Sequence, residues 1–160
     1  MEATSFSSSD PEVRYREALA QLSALCEPSE DLVCNLANAS ALLRDCIPAA
    51  SWVGFYLRRG QELVLGPFQG KVACTRIAWG RGVCGTAAAK GETVLVPDVE
   101  AFPGHIACDA GSRSEIVVPI VRAGQVVAVL DVDSYQLAAF TEVDARGLGE
   151  LAKVMASWAW

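Results

Sequence analysis

The stretch EIVVPIVRAGQVVAVLDVD, residues 115–133, decides the fold. Its two apolar runs, Glu115 to Val121 and Val126 to Asp133, flank the tetrapeptide Arg122-Ala123-Gly124-Gln125. Runs rich in β-branched residues on either side of a short, glycine-containing turn are typical of a β-hairpin. The stretch therefore predicts two neighbouring antiparallel strands.

Further strands are predicted upstream of this hairpin. The alternation from Trp52 to Leu57 predicts a strand with one aromatic-bearing face, and a turn after it predicts a hairpin partner from Glu62 to Leu65. Shorter strands are predicted at Thr75 to Trp79 and at Thr93 to Val96. A long loop is expected from Pro97 to Arg113.

Helix signals lie on both sides of the predicted strands. Asp10-Pro11 predicts the start of a first helix, and a second helix is predicted from a cap at Ser29 to Cys46. A short helix is predicted at Thr86 to Lys90, and a last helix begins at Thr141, where Asp144 completes a capping box. Helices at both ends of a run of antiparallel strands indicate an α+β fold, an antiparallel β-sheet covered by N- and C-terminal helices.

Length and composition limit the class of protein. A chain of 160 residues supports one hydrophobic core, so we expect a disordered polar segment at residues 1–10 and a single domain at 11–160. The net charge of −6 argues against nucleic acid as a partner, because phosphate binding requires clustered Lys and Arg. The apolar runs are far shorter than the roughly 20 residues of a membrane helix. Six cysteines without a recognisable signal peptide favour a reducing, cytoplasmic location.

Gly80-Arg81-Gly82-Val83-Cys84-Gly85 matches the GxGxxG pattern of dinucleotide-binding turns. That fold also requires parallel strands in a βαβ unit, whereas the strong strands of this chain form hairpins. The segment instead predicts a close backbone approach to a ligand, with free N–H groups of a helix start available to an anion such as a carboxylate. A tight turn without a ligand is the alternative.

The six cysteines fall into two groups. One group lies in the predicted N-terminal helices, where cysteine commonly packs as a small apolar residue. These cysteines are Cys26, Cys34 and Cys46. Cys74, Cys84 and Cys108 lie where strands or helices meet loops, so each is a candidate for either a reactive or a structural thiol. Together with His105 they are also a candidate zinc site, but their spacing fits no common zinc motif and no metal is expected.

Three carboxylates are predicted to converge. Glu115 begins one strand of the hairpin, and Asp131 and Asp133 share one face near the end of the other. Closely spaced carboxylates cannot all ionise, so at least one is expected to hold a proton near neutral pH and to be available as a general acid. A solvated cluster at the sheet edge is the alternative.

A series of short motifs runs through the middle of the chain. They are Gly66-Pro67-Phe68-Gln69-Gly70, Cys74, Gly80-Arg81-Gly82-Val83-Cys84-Gly85, Pro97-Asp98-Val99, Phe102-Pro103-Gly104-His105-Ile106-Ala107-Cys108-Asp109-Ala110, Ser114-Glu115-Ile116-Val117-Val118-Pro119 and Leu130-Asp131-Val132-Asp133-Ser134. In this order they closely resemble the motifs of the free methionine-R-sulfoxide reductases, which are GAF-fold enzymes. The resemblance runs from Trp52 to the final helix. Gly111 and Arg113 depart from the Ala-Ser-Asn tract of that family after Cys108.

The resemblance implies a GAF-type catalytic domain that reduces free L-methionine (R)-S-oxide to L-methionine. It implies that Cys108 attacks the sulfoxide sulfur, that Cys74 resolves the oxidised cysteine as a disulfide, and that Cys84 exchanges with or protects this pair. External thioredoxin is the implied reductant, and no bound cofactor is expected.

The resemblance also implies roles for acidic and aromatic residues. Glu115, Asp131 and Asp133 match acids that bind the substrate and protonate its oxygen. Trp52 and Tyr56 match aromatics that line the pocket around the methyl group, although packing on the sheet is an equal alternative for both. The sequence leaves the oligomeric state open, with a homodimer among the expected assemblies.

Two other classes of function remain as alternatives. A noncatalytic GAF sensor would bind a small molecule and signal to another domain. A redox or metal sensor would keep the cysteines without needing the three acids.

Overall fold

The computed structural model describes residues 4–160, and the predicted α+β class is confirmed. The helices are α1 (Pro11–Leu25), α2 (Leu32–Cys46), α3 (Gly82–Lys90) and α4 (Glu142–Met155). The strands are β1 (Trp52–Arg59), β2 (Glu62–Gln69), β3 (Arg76–Ala78), β4 (Val94–Val96), β5 (Ser114–Arg122) and β6 (Gln125–Ser134). A short 3₁₀ helix, Val99–Ala101, lies in the loop between β4 and β5.

All six strands form one sheet in the order β3-β2-β1-β6-β5-β4. Every neighbouring pair is antiparallel, so both predicted hairpins, β1 with β2 and β5 with β6, are confirmed. The β2 strand continues to Gln69, beyond the predicted end at Leu65. An antiparallel sheet lacks the parallel βαβ unit that a dinucleotide-binding turn requires.

Helix capping follows the sequence signals at two of three predicted starts. Asp10 accepts a hydrogen bond from the Glu12 backbone N–H, and Thr141 forms a capping box with Asp144. The cap predicted at Ser29 is wrong, because Asp31 accepts a hydrogen bond from the Val33 backbone N–H and starts α2. An Asp side chain is an equally good cap, and its position next to the apolar run decides the start.

Two apolar clusters lie on opposite faces of the sheet. On one face, α1, α2 and α4 cover Val53, Phe55 and Leu57 of β1. On the other face, α3 and the loops cover Trp52 and Tyr56. This division follows the alternation along β1, because successive side chains of a strand point to opposite faces. The face of Trp52 and Tyr56 is therefore the one with loops on which a site can form.

The N-terminal segment contacts the first helix. The Ser7 backbone N–H and hydroxyl donate hydrogen bonds to Glu17, and the Arg14 guanidinium lies 4.4 Å from the centre of the Phe6 ring. Residues 1–3, part of the segment predicted to be disordered, lie outside the described residues. The division at residue 10 therefore stays a prediction. Within residues 4–160, no helix has the length and apolar character needed to cross a bilayer.

Two glycines of α4 should respond oppositely to alanine. A Cβ on Gly147 would lie 2.2 Å from the Tyr15 ring, whereas a Cβ on Gly149 would meet nothing within 4 Å. We expect Gly147→Ala to lower the free energy of unfolding by about 1–3 kcal/mol, because it overpacks the contact between α1 and α4. Gly149→Ala should raise it by about 0.5–1 kcal/mol through helix propensity. Urea denaturation of both variants measures the difference, and two changes of the same sign would contradict it.

Candidate active site

Strand register brings the three predicted acids together. Glu115 of β5 pairs with Asp133 of β6, and Asp131 pairs with Val117 of β5 and with Gly54 of β1. Glu115 and Asp131 are each 6% exposed, and Asp133 is half-buried. The acids thus form the floor of a cavity on the α3 face of the sheet, rather than a solvated sheet edge.

Gly54 makes room beside Asp131. A Cβ on Gly54 would lie 2.4 Å from the Phe68 Cβ and 2.5 Å from the Trp52 ring. The Trp52 ring can therefore cross the strand at this position and stack on Phe68, with ring centres 5.2 Å apart. Phe68 belongs to the quoted motifs, but the sequence did not indicate that it supports Trp52.

Trp52 and Tyr56 line the cavity and also hold the segment that carries Cys74. The Trp52 indole N–H donates to the Lys71 carbonyl, and the Tyr56 hydroxyl donates to the Cys74 carbonyl, both at 3.0 Å. Both side chains are buried. Trp52 and Tyr56 therefore pack on the sheet and also line the cavity, so both alternatives from the sequence hold for the same side chains.

Cys74 and Cys108 form a disulfide at the side of the cavity, with Cα atoms 5.4 Å apart. The pairing that the resemblance implied is present. Because the disulfide uses the sulfurs of Cys74 and Cys108, these two residues are not available as zinc ligands beside Cys84 and His105. The loop that contains Cys108 covers the acids, so the disulfide joins this loop to the segment after β2.

Cys84 lies apart from the disulfide and next to the acids. Its sulfur is 3.9 Å from Glu115 Oε1 and is buried at the start of α3. Within the described part of the chain, one atom each of Cys84, Glu115 and Asp131 lie within 4.8 Å of one another, a spacing compatible with a metal ion. Burial and the charges of Asp131 and Glu115 raise the pKa of the Cys84 thiol well above its usual value. This thiol is therefore protonated near neutral pH.

Burial changes the proton affinity of all three acids. It raises the pKa of Asp131 to about 7, although hydrogen bonds from Cys84 and Glu115 oppose the change. Burial, followed by the charge of Asp131, raises the pKa of Glu115 and of Asp133 well above the usual carboxyl range. The cluster therefore holds protons near neutral pH, which a general acid requires.

His105 is a contact of the acid cluster that the sequence assigned only to the alternative zinc site. Its Nε2 atom lies 3.7 Å from Glu115 Oε2. Burial lowers the pKa of His105, so the imidazole is neutral at pH 7, and it faces Glu115, whose pKa burial raises. A histidine within a loop carries no signal in the sequence that predicts such a distant contact.

The start of α3 borders the same cavity. Gly82 and Val83 line it beside the exposed Arg81. The predicted position for an anion at this helix start thus borders the same cavity as the acids. Carboxylate binding at this position remains a prediction.

Comparisons with known proteins agree with the fold. A family model described as GAF domain matches residues 31–157. The free methionine-R-sulfoxide reductase of Escherichia coli (strain K12) is 47% identical over 147 residues, or 89% of each chain. The Saccharomyces cerevisiae protein of the same name is 45% identical over 147 residues, 87% of this chain and 82% of its own. The solved free methionine-R-sulfoxide reductase of Neisseria meningitidis, in complex with its substrate, has a TM-score of 0.92 and 54% identity, covering 98% of this chain and 94% of that chain.

The raised pKa of Asp131 predicts how stability depends on pH. Because its folded pKa of about 7 exceeds its usual value of 3.8, its contribution to stability is present at low pH and is lost as pH rises through about 7. Asp131→Asn removes this loss. We expect urea denaturation between about pH 5.5 and pH 7.5 to show the variant gaining stability relative to the wild type as pH rises.

Glu17→Gln is the control for this measurement. Hydrogen bonds from Ser7 lower the pKa of Glu17 from 4.5, so its contribution changes only in more acidic solution. The Glu17→Gln curve should therefore run parallel to the wild-type curve over the interval. A parallel curve for Asp131→Asn would contradict the raised pKa.

Proposed function

This chain belongs to the GAF-domain family of free methionine-R-sulfoxide reductases, and we propose that it reduces free L-methionine (R)-S-oxide through a Cys74–Cys108 disulfide recycled by thioredoxin. It is an oxidoreductase, and the reduction of free methionine sulfoxide follows from its family. The observation that carries the finer proposal is the disulfide beside a cavity whose floor is three acids of raised pKa.

The first chemical step joins a nucleophile and an acid. The Cys108 sulfur attacks the sulfoxide sulfur, while the acid cluster protonates the departing oxygen. Protonation is needed because the bare oxide is a poor leaving group. The protonated oxygen then passes from the substrate sulfur to the Cys108 sulfur as the transient bond between the two sulfurs breaks, which releases methionine and leaves Cys108 as a sulfenic acid. The substrate gains two electrons, which Cys108 supplies.

Proton transfer reconciles the needs of the nucleophile and the acids. Neighbouring carboxylates disfavour a thiolate at Cys108, which is the form that attacks. Transfer of the Cys108 thiol proton through the acid cluster to the sulfoxide oxygen produces the thiolate and protonates the oxygen in the same step. A pH profile of the reaction would report the coupled group rather than one residue.

Two exchange steps close the cycle. The Cys74 thiol attacks the Cys108 sulfenic acid, an S–S bond forms, and the hydroxyl leaves as water. Reduced thioredoxin then attacks this disulfide and returns two thiols to the enzyme, and becomes a disulfide itself. The apolar side chains of Val72 (88% exposed) and Ile106 (38% exposed) border the cavity beside the disulfide and support docking of a protein reductant.

The third cysteine is placed for a supporting role. Cys84 lies on the acid floor, and its burial and high pKa make it a poor direct partner for thioredoxin. We therefore retain exchange with the pair, or its protection, as the role of Cys84. No resident cofactor or metal takes part in the proposed cycle.

Substrate recognition depends on charge at both ends of the amino acid. Asp131 Oδ1 is buried without a hydrogen-bond partner within the described residues, so it is a free acceptor for the substrate ammonium. Backbone N–H groups near Cys108 or at the start of α3 are available to the carboxylate. Trp52 and Tyr56 line the cavity, and supply apolar surface for the methyl end.

The cellular setting of this activity belongs to the same proposal. A cytoplasmic location fits an enzyme whose thiols must be returned to the reduced state. A homodimer is the assembly that we include in this proposal. Size measurement in solution decides between monomer and dimer.

The roles of Cys108 and Cys74 separate in a single turnover. Without reductant, we expect Cys108→Ser to release no methionine, whereas Cys74→Ser releases about one methionine per enzyme because attack precedes resolution. Quantifying methionine after mixing reduced enzyme with excess sulfoxide measures this. Cys34→Ser, at an exposed position in α2 far along the chain from the site, is the control and should match the wild type. Equal loss of the first turnover in Cys108→Ser and Cys74→Ser would contradict the assignment.

Selectivity for the free amino acid follows from the charged ends of the substrate. A site that pairs charged groups rejects analogues that lack them by about 10⁴-fold. We expect NADPH consumption, coupled through thioredoxin and its reductase, with free L-methionine (R)-S-oxide. The S epimer and an N-acetylated, C-amidated R sulfoxide should give no measurable rate. Comparable rates on the blocked and free R substrates would contradict the proposed recognition.

A further inference from the structure

Three polar side chains join the two segments that carry the disulfide. Asp109 directly follows Cys108, and its Oδ2 atom accepts a hydrogen bond from the Tyr135 hydroxyl at 2.7 Å. The same oxygen lies 3.5 Å from the Lys71 ammonium. Lys71 in turn lies 5.0 Å from the centre of the Tyr135 ring, in a cation–π contact. We call Lys71, Asp109 and Tyr135 the latch.

The latch connects three parts of the site. Tyr135 follows Ser134, the last residue of the strand that carries two of the acids. Lys71 lies in the segment that leads to Cys74, and its carbonyl is held by Trp52. Asp109 lies in the loop that contains Cys108. Its position fixes this loop relative to both other parts.

Gly111 fits the latch and gives a reason for one departure from the family motif. A Cβ at this position would lie 3.0 Å from Tyr135 Cε1 and 3.2 Å from Tyr135 Cδ1. The Gly111 backbone N–H also donates to Asp109 Oδ1 at 2.9 Å. A glycine in place of the alanine expected there thus lets the Tyr135 ring pack against the loop while its hydroxyl reaches Asp109.

We propose that Tyr135 is a positioning residue that, through Asp109 and Lys71, holds Cys108 against Cys74 for disulfide formation. The proposal rests on the proposed function, in which the Cys74 thiol attacks the Cys108 sulfenic acid and water leaves. Holding two groups together raises the effective concentration of one at the other. Contacts made in the disulfide form also favour that form over the dithiol form by linkage.

The contacts of the latch differ in expected strength. Lys71 is exposed, so its ion pair with Asp109 should contribute little. The hydrogen bond from the Tyr135 hydroxyl to the Asp109 carboxylate is charge-assisted and should contribute more. This order sets the expected ranking of variants.

The thiol–disulfide equilibrium of the full chain tests the latch. In glutathione buffers of graded redox ratio, we expect Tyr135→Phe to shift the equilibrium toward the dithiol by about fivefold. Lys71→Gln should shift it by about twofold in the same direction. Gly111→Ala should also favour the dithiol, because its methyl group pushes against the Tyr135 ring. The dithiol fraction is read by thiol alkylation and mass spectrometry, with circular dichroism to confirm that each variant is folded.

Lys153→Gln is the matched control. Lys153 is an exposed lysine paired with Glu150 on α4, so its replacement removes an equivalent charge and should leave the equilibrium unchanged. An unshifted equilibrium in Tyr135→Phe would overturn the proposal, as would an equal shift in Lys153→Gln and Lys71→Gln. The measurement contains no methionine sulfoxide. If the variants shift the thiol–disulfide equilibrium but the wild-type protein does not reduce methionine sulfoxide, only the proposed function is contradicted. If the wild-type protein is active but the variants leave the equilibrium unchanged, only the latch is contradicted.

Discussion

The pairing of β6 with both β5 and β1 fixes the position of every acid in the site. In this register, Glu115 lies opposite Asp133, and Asp131 lies between Val117 and Gly54. A slip of one residue would turn these side chains to the face covered by α1, α2 and α4. The apolar residues that alternate with the acids are buried in the large core. Their burial maintains the strand register and so keeps the acids in the site.

Burial of three carboxyl groups lowers the stability of the fold but provides protonated acids for catalysis. Desolvation is the largest cause of the raised pKa of each acid, and the charge of Asp131 adds to it at Glu115 and Asp133. Two ionised carboxylates at this spacing would be costly in an enclosed site. Keeping a proton avoids that cost, so the arrangement that is poor for stability at high pH is suited to protonating a leaving oxygen.

Aromatic side chains of the sheet fix the position of the neighbouring loops. Trp52 and Tyr56 stand on the same face of β1 as the acids and bind the backbone of the segment that leads to Cys74. The disulfide and the contacts of Asp109 then attach the Cys108 loop to that segment. A rigid sheet thus places two cysteines that belong to otherwise irregular loops, which suits a site that must bring sulfur atoms together.

Local sequence signals determined the hairpins and the helix caps at Asp10 and Thr141. They also determined that Glu115 lies near Asp131 and Asp133, because the alternation of side chains along a strand and the pairing within a hairpin depend on residues close together in the chain. The motifs by themselves indicated the family and the cysteine pair. Only the tertiary structure placed Phe68 under Trp52, His105 beside Glu115 and Tyr135 on Asp109. The contacts of His105 and Tyr135 depend on the course of the loop between β4 and β5, which packing against the whole sheet decides and no local period encodes. The stacking of Trp52 on Phe68 depends on side-chain packing across the β1–β2 hairpin, which strand alternation does not specify.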